Sequence, residues 1–234
     1  CSSDLIFRIK IMEKKFIVYN KNKKLVVIFA GWATSPQFYK DFIIPDADVL
    51  LINNYKDFIE LETHDEYIKI FSLYDTINVF AWSLGVWVAS YFFTLHEEIK
   101  VSNAIAFAGT PYPIDDEKGI AKAIFLGTAH NLDEKVLMKF QLRMCGNRRA
   151  FDEFNERNGK MNIDELKAEL FAIIEAYERA PQNSFRWDTA YIGKSDKIFL
   201  PENQQKAWGG TRQILLEVQH YDLQLLKYII QNLC

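Results

Sequence analysis

The chain has 234 residues, more than a single ~150-residue domain needs, which fits one large domain or a core carrying an insertion. Apolar residues make up 49% and charged residues 25%, a balance that excludes a disordered chain. With 28 basic against 31 acidic side chains the net charge is −3, too balanced to imply nucleic-acid binding across the whole surface.

Met12-Glu13-Lys14-Lys15-Phe16 reads as a natural start, so residues 1–11 are expected to be an extension. A lipid-modified Cys1 is the alternative, which no visible signal peptide supports. Short apolar runs then follow at 16–19, 25–30, 49–53, 77–81, 104–108, 190–193 and 214–218. Each is continuous rather than alternating, as strands buried on both faces should be, and helical patterns lie between them. This rhythm predicts an α/β fold with a mostly parallel sheet and helices on both faces.

The stretch 76–96 carries no Asp, Glu, Lys or Arg and is long enough to screen as a membrane span. Asn78, Ser83, Gly85 and Ser90 divide it instead into a strand, a tight turn and a buried helix at 86–95, so no membrane partner is expected. Between 115 and 184 the strand rhythm stops. A helix is expected at 133–144, opened by Asn131 with Glu134 at capping-box spacing and closed by Gly146. Another is expected at 163–179, started by Asn162 and Glu165 and ended before Pro181. The predicted organisation is a core of residues 12–114 and 185–234 with a helical cap inserted at 115–184. Pro201 should open a short helix that Gly209-Gly210 ends.

The chemistry begins at Ile77-Asn78-Val79-Phe80-Ala81-Trp82-Ser83-Leu84-Gly85. A buried strand, a small-x-Ser-x-small turn and an apolar helix form the setting of a nucleophile elbow, with Ala81 in the first small position. The turn is cramped, so residues two away from the serine must be small, and it pushes the hydroxyl outward. It also leaves the Leu84 N–H at the helix start, free to receive an oxyanion. A serine needs a base and an orienting acid. Of the four histidines, His64 lies in a charged stretch, His96 far along the helix and His130 in the cap. His220 follows the last strand, at the sheet edge where catalytic groups gather. Asp196 follows the preceding strand, while Asp188 precedes that strand and Asp222 is better placed to cap the last helix. The order Ser83, Asp196, His220 is that of α/β-hydrolases, which gives the expected fold. The second oxyanion donor is expected from Gly31-Trp32-Ala33, with Gly31 permitting an unusual angle, the Trp32 N–H donating and its ring lining the pocket. No metal-ligand spacing is present, and no cofactor is required. Cys1, Cys145 and Cys234 form no CxxC and point to a reducing, cytoplasmic setting rather than a disulfide frame.

Phe29-Ala30-Gly31-Trp32, Ala81 through Ala89, Arg143-Met144-Cys145-Gly146, Asp196-Lys197-Ile198-Phe199 with Pro201 and Asn203-Gln204, and His220-Tyr221 together resemble the BioG family. That resemblance implies a pimeloyl-acyl-carrier-protein methyl ester esterase of biotin synthesis, with Ser83, Asp196 and His220 in the triad roles. One departure is Ala33, where the family usually has glycine. Residues 135–150 hold Lys135, Lys139, Arg143, Arg148 and Arg149 without a carboxylate. By composition they form an ordinary solvated helix face; the resemblance implies that Lys139, Arg143, Arg148 and Arg149 dock an acidic carrier protein. The same three side chains also serve thioesterases and short-chain carboxylesterases. An inactive hydrolase fold acting as a binding module is the non-enzymatic alternative, and the intact Ser83, Asp196, His220 set argues against it.

Overall fold

The computed structural model describes residues 13–63 and 65–233. The expected extension 1–11 with Cys1, and His64 and Cys234, lie outside the described residues. The strands are β1 (Glu13–Val18), β2 (Lys24–Phe29), β3 (Ala47–Asn53), β4 (Thr76–Trp82), β5 (Asn103–Phe107), β6 (Thr189–Gly193) and β7 (Arg212–Leu216). The helices are α1 (Phe58–Thr63), α2 (Asp65–Phe71), α3 (Leu84–Leu95), α4 (Lys122–Asn131), α5 (Glu134–Cys145), α6 (Arg148–Asn158), α7 (Ile163–Arg179), α8 (Pro201–Ala207) and α9 (Leu223–Gln231).

The strands form one sheet in the order β1-β3-β2-β4-β5-β6-β7. β1 runs antiparallel to β3, and every other pairing is parallel. After β2 the chain steps to one side for β3 and then to the other for β4, so a crevice opens at the carboxyl ends of β2 and β4. Both faces of these central strands are covered. Val27, Phe29, Ile52, Val79 and Ala81 join α3 and α7 in one apolar layer. Val26, Ile28, Leu51, Phe80 and Trp82 join Phe154 of α6 and the inner face of α9 in the other. This two-sided burial is why the strands read as unbroken apolar runs.

Several expectations need correction at the edges. β7 is not buried on both faces: among the described residues it pairs only with β6, its residues are half-buried or exposed, and it ends two residues before 218. β1 begins three residues earlier than expected, and Tyr19 lies beyond it with half its surface exposed. α5 is capped by Asp133, whose carboxylate accepts from the Val136 N–H at 2.7 Å, rather than by Asn131. Asn131 instead ends α4, donating to the Gly127 carbonyl at 2.8 Å. Gly146 closes α5 at φ 74, and Asn162 and Asp222 cap α7 and α9. Such caps contribute about 1 kcal/mol each. The stretch 76–96 becomes β4, a turn and the twelve-residue α3. Among the described residues no helix is long and apolar enough to cross a membrane.

Candidate active site

Ser83 sits between β4 and α3 with φ 58 and ψ −128, outside the ordinary right-handed and extended regions. A non-glycine residue held there costs roughly 1–3 kcal/mol, so its surroundings must over-determine it. They do. The Ser83 N–H donates to the Phe107 carbonyl at 3.0 Å, and the Ser83 carbonyl accepts from Val86 at 3.1 Å. Gly85 presses on the Phe29 and Ala30 carbonyls, and Gly109 on the Ser83 carbonyl, leaving no room for a Cβ at either.

The Ser83 hydroxyl reaches His220 Nε2 at 2.9 Å, and His220 Nδ1 reaches Asp196 Oδ2 at 2.8 Å. All three side chains are buried. Asp196 is held by three further donors: the Ile198 and Phe199 amides on Oδ1 at 2.8 and 3.0 Å, and Gln204 Nε2 on Oδ2 at 3.1 Å. A carboxylate only accepts, so His220 must carry its proton on Nδ1, which leaves Nε2 to accept from the serine hydroxyl. Aromatic rings also lie beside the imidazole. Phe199 lies parallel to it at 6.1 Å and Trp82 is 5.9 Å away, while the Trp82 indole donates to the His220 carbonyl at 3.0 Å. A hydroxyl, a base and an orienting acid connected in this way can carry out base-assisted nucleophilic attack on a carbonyl.

The Trp32 and Leu84 backbone N–H groups have no hydrogen-bond partner among the described residues. Positive φ falls on Ala33, at 62°, and not on Gly31. Gly31 is needed for a different reason: a Cβ there would stand 2.9 Å from the Trp82 ring. The Trp32 ring meets Phe140 edge-on at 5.0 Å, and its indole donates to the Leu166 carbonyl at 3.1 Å. A cavity of about 460 Å³ opens onto Ser83, lined by Trp32, Leu84, Ile120, Ile124, Phe125, Val136, Phe140, Leu170 and Ile198. Lys139, Arg143 and Lys197 stand at its exposed margin with a single acid, Asp116. Arg148 and Arg149 are exposed outside this lining, and Arg148 pairs with Asp152 at 2.8 Å.

A family model described as "Pimeloyl-ACP methyl esterase BioG" matches residues 12–230. The chain belongs to the BioG family. The crystal structure of BioG from Haemophilus influenzae is similar to this chain with a TM-score of 0.81 and 33% identity, covering 92% of this chain and 96% of that one. A Bacteroides fragilis protein named malonyl-[acyl-carrier protein] O-methyltransferase is 39% identical over 200 residues. That match takes in 86% of this chain but only 39% of the relative's length. An Exiguobacterium antarcticum esterase, 13% identical with a TM-score of 0.69 over 94% of this chain and 95% of its own, shares the fold. The sheet order and these neighbours make the fold that of the α/β-hydrolases.

Of the other residues weighed from sequence, His96 closes α3 and bonds the Leu61 carbonyl, and the His130 ring packs on Phe171. Asp188 accepts from the Ala104 amide at the sheet edge, and Asp222 caps α9. Burial pushes the Cys145 thiol up to about 12, with Glu153 adding to it, so it is no rival nucleophile. Gln204 and Phe199 were not singled out individually as site residues from sequence, although Asp196 and Phe199 are three apart and Gln204 eight beyond the acid. An asparagine on α6, Asn158, was missed entirely.

Proposed function

We propose that this BioG-family chain is a serine esterase that hydrolyses the methyl ester of pimeloyl-acyl-carrier protein, releasing methanol. The supporting observation is the Ser83–His220–Asp196 relay facing an apolar cavity. In this reading His220 takes the Ser83 proton as the hydroxyl attacks the ester carbonyl, and the oxyanion rests on the Trp32 and Leu84 amides. Protonated His220 then gives its proton to the departing methanol. A water activated by the same imidazole hydrolyses the acyl-enzyme and restores Ser83.

Residues 115–184 act as the cap, supplying Ile124, Phe125, Val136, Phe140 and Leu170 to the wall that holds the acyl chain. Lys139 and Arg143 at the margin, with Arg148 and Arg149 beyond, attract the acidic carrier that stays outside. The name of the B. fragilis relative fits this chemistry, because O-methylation of a carrier-bound acid makes the kind of ester that is opened here.

The test is methanol release from carrier-bound methyl pimelate beside hydrolysis of a short p-nitrophenyl ester. Wild-type protein should turn over both and be labelled by a fluorophosphonate, and Ser83→Ala should lose all three. Wild-type protein that is not labelled would mean a binding module. Release of carrier thiol with monomethyl pimelate would mean a thioesterase.

A further inference from the structure

The loop that presents the Trp32 amide continues through Ala33, whose φ of 62 is a conformation that side chains disfavour. Within the loop the Thr34 hydroxyl donates to the Gly31 carbonyl across it. The bonds to Ala33 and Ser35 themselves come from the last residue of α6. Asn158 Nδ2 donates to the Ala33 carbonyl at 2.9 Å, and its Oδ1 accepts from the Ser35 N–H at 2.7 Å. Its backbone carbonyl accepts from the Ser35 hydroxyl at 2.6 Å. Asn158 is 2% exposed and lies more than a hundred residues from the loop in sequence, and both the nitrogen and the oxygen of its amide bond this backbone. The residue before it adds a further tie, with Arg157 Nε donating to the Phe38 carbonyl at 2.9 Å. On the other side of Trp32, the Gly31 N–H donates to the Tyr39 hydroxyl at 3.4 Å and the Gly31 carbonyl accepts from Thr34. Trp32 is thus bracketed, and the bracket on its carboxyl side belongs to the inserted helices.

We propose that Asn158 is a positioning residue for ester hydrolysis: it holds Ala33 in its left-handed conformation and so aims the Trp32 N–H at the oxyanion. The inference rests on the serine-esterase reading of Ser83 and does not depend on which acyl group is the substrate. A residue that merely glues α6 to the core would affect folding; a residue that aims an oxyanion donor affects the transition state selectively.

The experiment uses a short p-nitrophenyl ester as substrate and a trifluoromethyl ketone as the tetrahedral mimic, with Asn158→Ala and the near-isosteric Asn158→Asp. Each is made with and without Ala33→Gly. Removing an oxyanion donor lowers kcat by about 10²–10³, so misaiming one should lower it by roughly tenfold to a hundredfold with KM nearly unchanged. Affinity for the ketone should fall in step with kcat, and the pH profile of kcat/KM should not move, because Asn158 touches neither His220 nor Asp196. Ala33→Gly should restore part of the loss in both backgrounds, since glycine enters the left-handed region freely. Melting that falls while kcat and ketone affinity hold would overturn the proposal, as would a loss confined to KM or no recovery with Ala33→Gly. Labelling of wild-type Ser83 by a fluorophosphonate separates the two failures. Labelled wild type with unaffected Asn158 variants overturns only this inference, whereas unlabelled wild type overturns the esterase reading and this inference with it.

Discussion

Gly85 is the second residue of α3, with its α-carbon pressed against the end of β2. An alanine Cβ there would stand 2.5 Å from the Ala30 carbonyl oxygen, and closer still to that of Phe29. Both are buried backbone atoms, one the last of β2 and one just beyond it, so no side chain can swing aside. Relieving the closer contact to an ordinary 3.4 Å requires β2 and the Ser83 turn to part by about 1.0 Å. That movement separates the serine hydroxyl from the loop that carries the Trp32 amide. A misplacement of ~1 Å at a reacting centre costs on the order of 100-fold in rate, so Gly85→Ala should lower kcat on a short p-nitrophenyl ester by about that factor. Overpacking should also remove about 1–3 kcal/mol of stability, at roughly 2–4 °C of melting temperature for each kcal/mol in a chain of this size. Steady-state kinetics and thermal melts on one preparation measure both. A variant with unchanged kcat and an unshifted melt would refute the idea that close approach of strand and helix sets the geometry of Ser83.

Asp196→Asn should leave the fold intact and lower kcat by about 10⁴, because an amide no longer selects the Nδ1–H tautomer of His220; fluorophosphonate labelling of Ser83 would slow with it. Lys139→Glu with Arg143→Glu should lower kcat/KM on the carrier-bound ester by about tenfold, less at high salt, while sparing the short ester. Arg148→Glu with Arg149→Glu should do so more weakly, since Arg148 is already paired with Asp152; equal loss on both substrates would refute docking. Burial pushes the Glu169 carboxyl from 4.5 up to about 7, against the Tyr55 amide and Lys56, which pull it down. The folded chain therefore keeps a proton that the unfolded chain has lost, so stability should fall as pH rises from 4.5 to about 7 and then level off. The full difference is about 3 kcal/mol. Urea unfolding of Glu169→Gln should lack this slope, and a slope that persists would assign it to other groups.

The central strands were legible because burial on both faces leaves an unbroken apolar run, and Ser83 because its flanks had to be small. Edges were less so. β7 reads as a buried strand, yet its outer side faces solvent, since sequence does not say which strand ends a sheet. α6 escaped notice because Arg148–Asn158 is mostly polar, with Phe151 and Phe154 as its only large apolar pair at helical spacing. Asn147, accepting from the Ala150 N–H, was the available start signal. The same helix hid Asn158, whose partners lie 123 and 125 residues away. A hydrogen bond that spans such a distance leaves no local periodicity to read. In sequence Gly31 suggests a turn former because glycine so often is one, whereas here the need is space beside Trp82 and the strained angle falls on Ala33.

The most direct measurement is the mass of the intermediate on Ser83, trapped by acid quench during a single turnover of carrier-bound methyl pimelate. Attack on the methyl ester expels methanol and leaves the pimeloyl chain on Ser83 with the carrier still joined through its thioester. Attack on the thioester expels the carrier and leaves only a methyl pimeloyl group. The first adduct is expected, mapped to Ser83 and absent from Ser83→Ala; the second adduct, or substrate consumed with Ser83 unmodified throughout, would contradict it.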